Sequence, residues 1–160
     1  MKVIVIGQSL TGKTTLIKYL KKTTKLPMEE IDDKIRERNK GEWPADDKYK
    51  LQVIAPPIIK ETLKKEKIIF FTNTDYFTSK DLQHARRNGF RIILLTLSLK
   101  ELTKRNEYRM NNEGYEDFRK YFQTMSEYQE KIKTEGLIDA IIDVNKPVEK
   151  VAEDLIYQLS

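Results

Sequence analysis

One eight-residue segment constrains the fold of this chain more than any other feature. It reads Gly7-Gln8-Ser9-Leu10-Thr11-Gly12-Lys13-Thr14 and fits the pattern G-x-x-x-x-G-K-[ST] without a mismatch. An apolar, β-branched run at residues 3–6 precedes it, and apolar residues at helical spacing follow it at positions 16, 17 and 20. This context predicts a buried strand, a glycine-rich loop and a helix in direct succession, an arrangement that binds phosphate groups.

The residue types of this loop suit a nucleoside triphosphate. Its glycines allow backbone N–H groups to turn inward as an anion nest, and the N-terminus of the following helix adds partial positive charge. We expect Lys13 to reach the β- and γ-phosphates and the Thr14 hydroxyl to ligate Mg²⁺. The predicted nucleotide-binding residues are Gly7, Gln8, Ser9, Leu10, Thr11, Gly12, Lys13, Thr14 and Thr15.

Composition narrows the remaining function classes. At 160 residues the chain has room for one domain, predicted to span residues 1–160. It has no cysteine and a single histidine, His84, which excludes disulfides, thiolate metal sites and histidine-based triads. We find no membrane-length apolar run and no signal peptide, so we expect a cytoplasmic protein without membrane contact, as a monomer or homodimer. The net charge of +5 is scattered among acidic residues, which argues against nucleic acid as a partner.

Apolar runs alternate with amphipathic segments along the chain. Strands are predicted at about 3–6, 28–31, 68–71, 92–95 and 140–142, and helices at about 14–22, 33–40, 79–88, 99–109, 117–135 and 147–159. We expect Pro56-Pro57 to interrupt the segment around it, and residues 110–115 to form a loop. The pattern predicts a three-layer α/β fold, in which helices cover both faces of a mainly parallel sheet of about five strands.

The absence of sequence motifs typical of GTPases and of motor ATPases narrows the class of nucleoside-triphosphate-binding protein. No aspartate is followed by glycine three residues later, and Val148 stands where the guanine-reading motif after Asn145-Lys146 requires an aspartate. These absences argue against a GTPase and favour ATP. A motor ATPase usually ends a strand with an acidic residue, whereas here the first acid after residues 68–71 is Asp75. An ATPase without an acceptor, or a non-catalytic ATP-binding module, stays open as an alternative.

The phosphate loop near the N-terminus, the short length and the later arginine cluster resemble the P-loop small-molecule kinases. That group contains nucleoside monophosphate kinases, shikimate kinases and gluconate kinases. The resemblance extends over nearly the whole chain in element order, although only the phosphate loop is highly specific. It implies an ATP-dependent phosphotransferase with Mg²⁺, an acceptor-binding region at about 30–65 and a short lid at about 105–116.

The resemblance also suggests acceptor-side residues. Glu30-Ile31-Asp32-Asp33 matches the place of the family's acceptor-facing aspartate, so Asp33 is the predicted catalytic carboxylate, with Asp32 beside it. Arg36 is the predicted ligand of an acceptor anion. Asn73 and Asp75 are expected to contact the acceptor from a strand's carboxyl end. The alternative is that Asp32 caps a helix and Arg36 is solvated. Gly41-Glu42 through Asp47 is similar to a gluconate-kinase stretch, and Trp43 either walls the acceptor pocket or packs under a loop.

Arg105 and Arg109 lie four residues apart on one predicted helix face. They resemble the family's lid arginines, which neutralise charge on the transferring phosphoryl group and contact the adenine. Pro147 matches the loop that packs against the adenine. The alternative for Arg105 and Arg109 is that they lie on an exposed helix end. The alternative for Pro147 is that it only begins the last helix. The glycine triplet and the arginine-proline pair of shikimate kinases are missing, and so is the arginine-rich lid insert of larger adenylate kinases. The acceptor therefore stays open between a small molecule and a nucleotide.

Overall fold

The computed structural model describes residues 1–160. Its five strands are β1 (Lys2–Gly7), β2 (Met28–Glu30), β3 (Ile68–Thr72), β4 (Arg91–Thr96) and β5 (Ala140–Asp143). They form one sheet in the order β2-β3-β1-β4-β5, and every neighbouring pair is parallel. The predicted parallel α/β sheet of about five strands is confirmed.

Eight α-helices accompany the sheet. They are α1 (Lys13–Thr23), α2 (Ile31–Arg38), α3 (Asp47–Tyr49), α4 (Ala55–Thr62), α5 (Ser79–Arg87), α6 (Leu99–Asn112), α7 (Arg119–Thr134) and α8 (Val148–Leu159). A π-helical turn, Lys50–Ile54, joins α3 to α4. None of the helices combines the length and apolar character needed to cross a bilayer.

Side-chain alternation along the strands produces two separate hydrophobic cores. In β1, Ile4 and Ile6 point to a core that α2, α4 and α5 also line. Val3 and Val5 point to the opposite core, which contains buried residues of α1 and α8. Because successive side chains of a strand face opposite sides, an unbroken apolar run is what a sheet covered on both faces requires.

The segment around Pro56-Pro57 differs from the prediction. The chain stays helical from α3 to the end of α4, and the prolines lie in the first turn of α4, where their missing N–H groups need no intrahelical partner. The hydrogen-bond spacing changes in the π-turn that precedes the prolines, since the Ala55 N–H donates to the carbonyl of Lys50, five residues back. The prolines therefore alter the helix type without ending the helical path.

The loop predicted at residues 110–115 begins later in the structure. Helix α6 continues to Asn112, whose side-chain amide donates to the Tyr108 carbonyl at 2.9 Å. It ends just before Gly114, which has a left-handed φ of 69°. The Asn-Asn pair is thus helical, and the connection to α7 consists of residues 113–118.

Parallel pairing places the carboxyl ends of the strands along one edge of the sheet. Ile6 is in register with Thr72, Gly7 with Leu95, and Glu30 with Phe71. The phosphate loop, the start of α2 and the loop after β3 consequently lie side by side. Open α/β sheets bind their ligands at this edge.

Candidate functional site

The phosphate loop connects β1 directly to α1, as predicted. A Cβ on Gly7 would lie only 2.8 Å from the Thr11 hydroxyl oxygen and 3.2 Å from Leu95 Cβ, so no other residue fits without displacement. Gly12 has a left-handed φ of 82°, which a residue with a side chain rarely adopts. The two glycines are therefore required for different reasons, close packing at Gly7 and backbone conformation at Gly12.

Leu10 also has a left-handed φ, of 79°, although it is not a glycine. Its side chain is buried against Leu102 of α6 and Phe122 of α7. Its carbonyl accepts a hydrogen bond from the Arg105 guanidinium at 2.8 Å. These contacts stabilise the unfavourable backbone conformation of Leu10 and connect the phosphate loop to α6 and α7.

Lys13 is buried at the base of the loop. Its Nζ donates to the carbonyls of Gly7 at 2.7 Å and Gln8 at 2.9 Å, which leaves one of its three protons free. Burial lowers the pKa of Lys13 to about 8, while the negative charges of Asp32 and Glu30 act in the opposite direction. An anionic ligand at the loop would likewise favour the charged amine.

Thr14 and Thr15 are exposed in the first turn of α1, and Ser9 is partly exposed within the loop. Thr11 instead uses its hydroxyl internally, donating to the Gln8 carbonyl at 2.6 Å. Among the predicted loop residues, Thr11 therefore stabilises the loop itself, whereas the side chains of Ser9, Thr14 and Thr15 are accessible to solvent. Thr14 has the accessibility that a Mg²⁺ ligand needs.

The two aspartates at the start of α2 occupy different environments. Asp33 is exposed and lies 3.8 Å from Arg36 in a surface ion pair. Asp32 faces inward, and its Oδ1 is buried without a hydrogen-bond partner. Burial raises the pKa of Asp32, with the positive charges of Lys13 and Arg36 opposing that rise. The rotation of α2 therefore turns Asp32, and not Asp33, towards the phosphate loop.

Glu30, the last residue of β2, was not among the predicted site residues. Burial raises its pKa, and the negative charge of Asp32 raises it further, while Lys13 opposes the shift. The Glu30 and Asp32 carboxylates thus share one partly buried space beside the loop. No group of three or more His, Cys, Asp or Glu side chains has a metal-binding arrangement. A magnesium ion would therefore need phosphate oxygens to complete its ligands.

A cationic and aromatic cluster lies next to Asp32. The Arg36 guanidinium is 5.3 Å from the ring centroid of Trp43, and Lys50 Nζ is 5.0 Å from the same ring. Lys50 is also 5.5 Å from the ring centroid of Tyr76. Trp43 therefore belongs to the predicted acceptor region while staying 42% exposed. Lys50 gave no signal in the sequence, since it is one lysine in a lysine-rich segment.

The loop after β3 brings Asn73 and Asp75 to the same edge of the sheet. Asn73 is partly exposed, and Asp75 has a left-handed φ of 71°. Burial raises the pKa of Asp75, and the charge of Lys50 opposes that rise. Between them, Thr74 is 1% exposed and its hydroxyl has no hydrogen-bond partner. The accessible polar groups of this loop are therefore Asn73 and Asp75, whereas the Thr74 hydroxyl is enclosed.

The arginines of α6 lie beside the phosphate loop. Besides its bond to Leu10, Arg105 places Nη2 at 3.5 Å from the Val144 carbonyl, and burial lowers its pKa. Arg109 lies 5.2 Å from the Tyr115 ring centroid, and its charge contributes to the low pKa of Lys13. Both side chains thus reach the side of the molecule where a triphosphate would bind.

Asn106, between these arginines, is fully buried and holds the connection to α7. Its amide nitrogen donates to Asp117 at 2.8 Å, and its carbonyl oxygen accepts from the Phe118 N–H at 2.9 Å. Hydrogen bonds from Arg119 and from Asn106 hold the pKa of Asp117 well below its usual range. One signal in the sequence could have indicated this role, namely an amide residue four positions after Leu102 on the same helix face.

A pocket of about 270 Å³ opens between the phosphate loop, α6 and the connection from β5 to α8. Thr11, Gly12 and Thr15 line one side. The other side is lined by Arg105, Val144, Lys146, Val148 and Val151. The predicted Pro147 is exposed between two lining residues, Lys146 and Val148. The position beside the loop suits the nucleoside part of a triphosphate.

A larger groove of about 540 Å³ lies elsewhere, between α4 and α5. Its lining includes Lys2, Lys60 and His84 but no residue of the phosphate loop. Tyr76 alone connects its lining to the aromatic cluster around Lys50. The larger groove is therefore separate from the phosphate loop, and only the smaller pocket lies beside it.

Comparison by sequence finds no match to a described protein family or to a curated protein. Comparison by structure finds clear matches. The chain is similar to shikimate kinase from Aquifex aeolicus, with 17% identity, a TM-score of 0.70 and coverage of 99% of this chain and 96% of that chain. The corresponding values for shikimate kinase from Acinetobacter baumannii in complex with shikimate are 13%, 0.74, 99% and 92%.

A gluconokinase from Sinorhizobium meliloti is also similar, with 17% identity, a TM-score of 0.61 and coverage of 99% of this chain and 97% of that chain. At such low identity, these matches establish the fold and leave substrates undetermined. The chain has the P-loop fold of small-molecule kinases of the shikimate kinase and gluconokinase type.

Proposed function

We propose that the chain is an ATP-dependent phosphotransferase that moves the γ-phosphoryl group of Mg-ATP to a hydroxyl group of a small-molecule or nucleotide acceptor. The observation that carries this proposal is that β1 and β2 end at the same edge of the parallel sheet, with the phosphate loop and its buried Lys13 after β1 and Asp32 after β2. The charge of each residue acts on the pKa of the other. A phosphate-binding cation and a proton-accepting carboxylate then face the same reacting atoms.

On the donor side, the loop N–H groups and Lys13 bind the phosphates, and the pocket beside Arg105 takes the nucleoside. Thr14 and Glu30 are the residues that would hold Mg²⁺. The exposed hydroxyl of Thr14 and the carboxylate of Glu30 are the hard oxygen donors this ion prefers, and a cation would relieve the repulsion between Glu30 and Asp32. When bound, the ion supplies positive charge beside the β- and γ-phosphate oxygens.

On the acceptor side, Asp32 is partly exposed and its Oδ1 has no hydrogen-bond partner within the chain, so its carboxylate has capacity to accept a hydrogen bond from the acceptor hydroxyl. As the hydroxyl oxygen bonds to the γ-phosphorus, its proton passes to Asp32, and the bond between the γ-phosphorus and the bridging oxygen breaks to release ADP. Burial raises the pKa of Asp32 and so makes it a better proton acceptor. Activity should therefore fall at low pH, when this carboxylate is already protonated.

Arg109 is the lid residue best placed to neutralise charge on the transferring group, because its charge already acts on Lys13. Arg105 donates its hydrogen bonds to backbone carbonyls and so stabilises the conformation of the phosphate loop. Asn73 and Asp75 would contact further polar groups of the acceptor. Their location argues for a hydroxylated acceptor over an apolar one.

Substitution of each aspartate tests the assignment. We expect Asp32→Asn to lower kcat by about 100-fold or more, the scale of losing a general base, and to leave ATP affinity unchanged. Asp33→Asn is the matched control, with an expected effect below about threefold because Asp33 forms only an exposed ion pair. The assay is transfer of labelled γ-phosphate to a panel of sugar acids, polyols and nucleoside monophosphates. A larger loss in Asp33→Asn would reverse the two roles.

A further inference from the structure

We propose that the groove between α4 and α5 is a second ligand site, which binds one amphipathic anion, a small molecule with an apolar chain or ring and a carboxylate or phosphate group. The groove has a volume of about 540 Å³, against about 270 Å³ for the pocket beside the phosphate loop. Small-molecule sites commonly have volumes of about 300–1,000 Å³. Because no residue of the phosphate loop lines the groove, this proposal does not depend on the proposed phosphotransfer.

One end of the groove is apolar. Pro56 and Ile59 lie on the face of α4 that lines the groove, and Leu51 of the preceding π-turn extends this wall. Tyr76, in the loop after β3, closes the wall at the carboxyl edge of the sheet. Leu51 is 38% exposed and Pro56 is also exposed, so solvent contacts apolar surface that a ligand would cover.

The other end of the groove is cationic. Lys60 and Lys64 line it at the C-terminal end of α4, and neither has a carboxylate within ion-pair distance. The Glu61 carboxylate, which lies between them in sequence, pairs with Arg38 instead. Two like charges four residues apart repel each other, so an anion that binds between them is favoured.

Lys2 adds a third cation at this end. It begins β1, in register with Ile68 at the start of β3, and its Nζ donates to the Asn88 carbonyl at 3.1 Å. Its ion-pair partner is Glu66, at 3.7 Å, whose side chain is 89% exposed. Because solvent screens such a pair, this end of the groove keeps a net positive charge.

The α5 wall of the groove offers no free carboxylate that would repel an anion. The Asp81 side chain accepts a hydrogen bond from the Thr78 N–H at 2.9 Å and lies in the first turn of α5, where the helix N-terminus favours negative charge. Farther along this wall, the Asn88 side-chain amide donates to the His84 carbonyl at 2.8 Å. The ammonium groups of Lys60 and Lys64 are therefore the charged donors of the groove without a partner.

These two ends determine how the ligand lies. Both α4 and α5 run from the carboxyl edge of the sheet to its amino edge, so Tyr76 and Lys2 mark opposite ends of one groove. The anionic group would bind among the three lysines, and the apolar part would extend towards Pro56 and Tyr76. A purely apolar molecule or a small inorganic anion would occupy only one half of the groove.

His84 is the only histidine of the chain and lines the groove, so its ring signals in NMR spectra report directly on occupancy. We would titrate the full chain at constant pH with octanoate and octyl phosphate, and use octan-1-ol and inorganic phosphate as controls that each retain one half of the ligand. The expected result is a saturable shift for at least one of the two amphipathic anions, with a midpoint at least about tenfold below those of both controls. No saturable shift with either anion, or an equal midpoint for either control, overturns the proposal.

Replacement of both Lys60 and Lys64 by methionine tests the cationic end. This double variant should raise the midpoint by about tenfold or more, since two ion pairs are lost, whereas replacement of both by arginine should keep it within about threefold. Lys18 and Lys22 provide the matched control, because they are also exposed and four residues apart, on α1, which lines the opposite core. Their replacement by methionine should leave the midpoint unchanged, and equal midpoints in the two methionine variants would overturn the proposal.

A nucleotide titration separates this groove from the pocket beside the phosphate loop. Because the two share no lining residue, saturating ADP should leave the midpoint of the amphipathic anion unchanged. Displacement of the anion by ADP would assign it to the nucleotide pocket and overturn the proposal of a second site.

Discussion

At the scale of single residues, the chemistry depends on side chains whose charge states are set by burial. Lys13 is the clearest case, because two backbone carbonyls satisfy its ammonium group only in part and burial disfavours its charge. Asp32 and Glu30 are affected in the opposite sense, since burial favours their neutral forms. A triphosphate, a metal ion and an acceptor hydroxyl group would each restore a favourable environment to one of these residues.

The lowered pKa of Lys13 predicts a pH dependence of ATP binding. The free amine loses its proton above a pH of about 8. Bound phosphates favour the charged form, so the pKa is higher in the complex and affinity is lost as pH rises. We expect the dissociation constant of ATP to increase by about tenfold between roughly pH 7 and roughly pH 9. Calorimetry measures it, and Lys13→Ala should bind ATP weakly at every pH. Equal affinity at both pH values in the wild type would contradict the lowered pKa of Lys13.

The two lid arginines should have different effects. Arg109→Ala should lower kcat by about 100-fold with ATP affinity retained, because charge on the transferring group is greatest during transfer. Arg105→Ala should also weaken ATP binding, since it removes the hydrogen bond that supports the Leu10 carbonyl. Steady-state kinetics and nucleotide titrations on both variants separate the two roles. Nearly wild-type turnover in both would exclude this helix from catalysis.

At the scale of elements, the phosphate loop is coupled to α6 and α7 through Leu10. Leu10→Ala and Leu10→Gly both remove the buried side chain, which should destabilise the fold by about 2–5 kcal/mol. Glycine adopts the left-handed conformation without strain, so Leu10→Gly should be the more stable of the two by about 1 kcal/mol. Urea unfolding compares them. The usual order, alanine above glycine, would mean that the φ of 79° is not maintained in solution.

Local sequence signals predicted the elements well where one helix or strand determines the pattern. The buried runs and the phosphate loop both depend on near neighbours in the chain. Two features could not be read in this way. The choice between Asp32 and Asp33 depends on how α2 is rotated against the sheet. The place of Lys50 depends on a π-turn, which has no period that a pattern reveals.

At the scale of the whole molecule, the parallel sheet gathers these parts at one edge. The proposed ATP-binding residues follow β1, the proposed base follows β2, and the polar loop follows β3, although these segments are far apart in sequence. The fold is that of solved small-molecule kinases at only 13–18% identity. Proteins with this fold can therefore share the arrangement of loops at the carboxyl edge of the sheet and still differ in the residues that select an acceptor.

Transfer of labelled γ-phosphate tests the central claim most directly. The chain is incubated with γ-labelled ATP, Mg²⁺ and the acceptor panel, and the label is followed into organic phosphate and into inorganic phosphate. We predict that the label enters an organic acceptor, that omission of the acceptor nearly abolishes ATP consumption, and that Lys13→Ala does not transfer it. Release of the label only as inorganic phosphate, at a rate that no acceptor changes, would contradict the account and identify an ATPase.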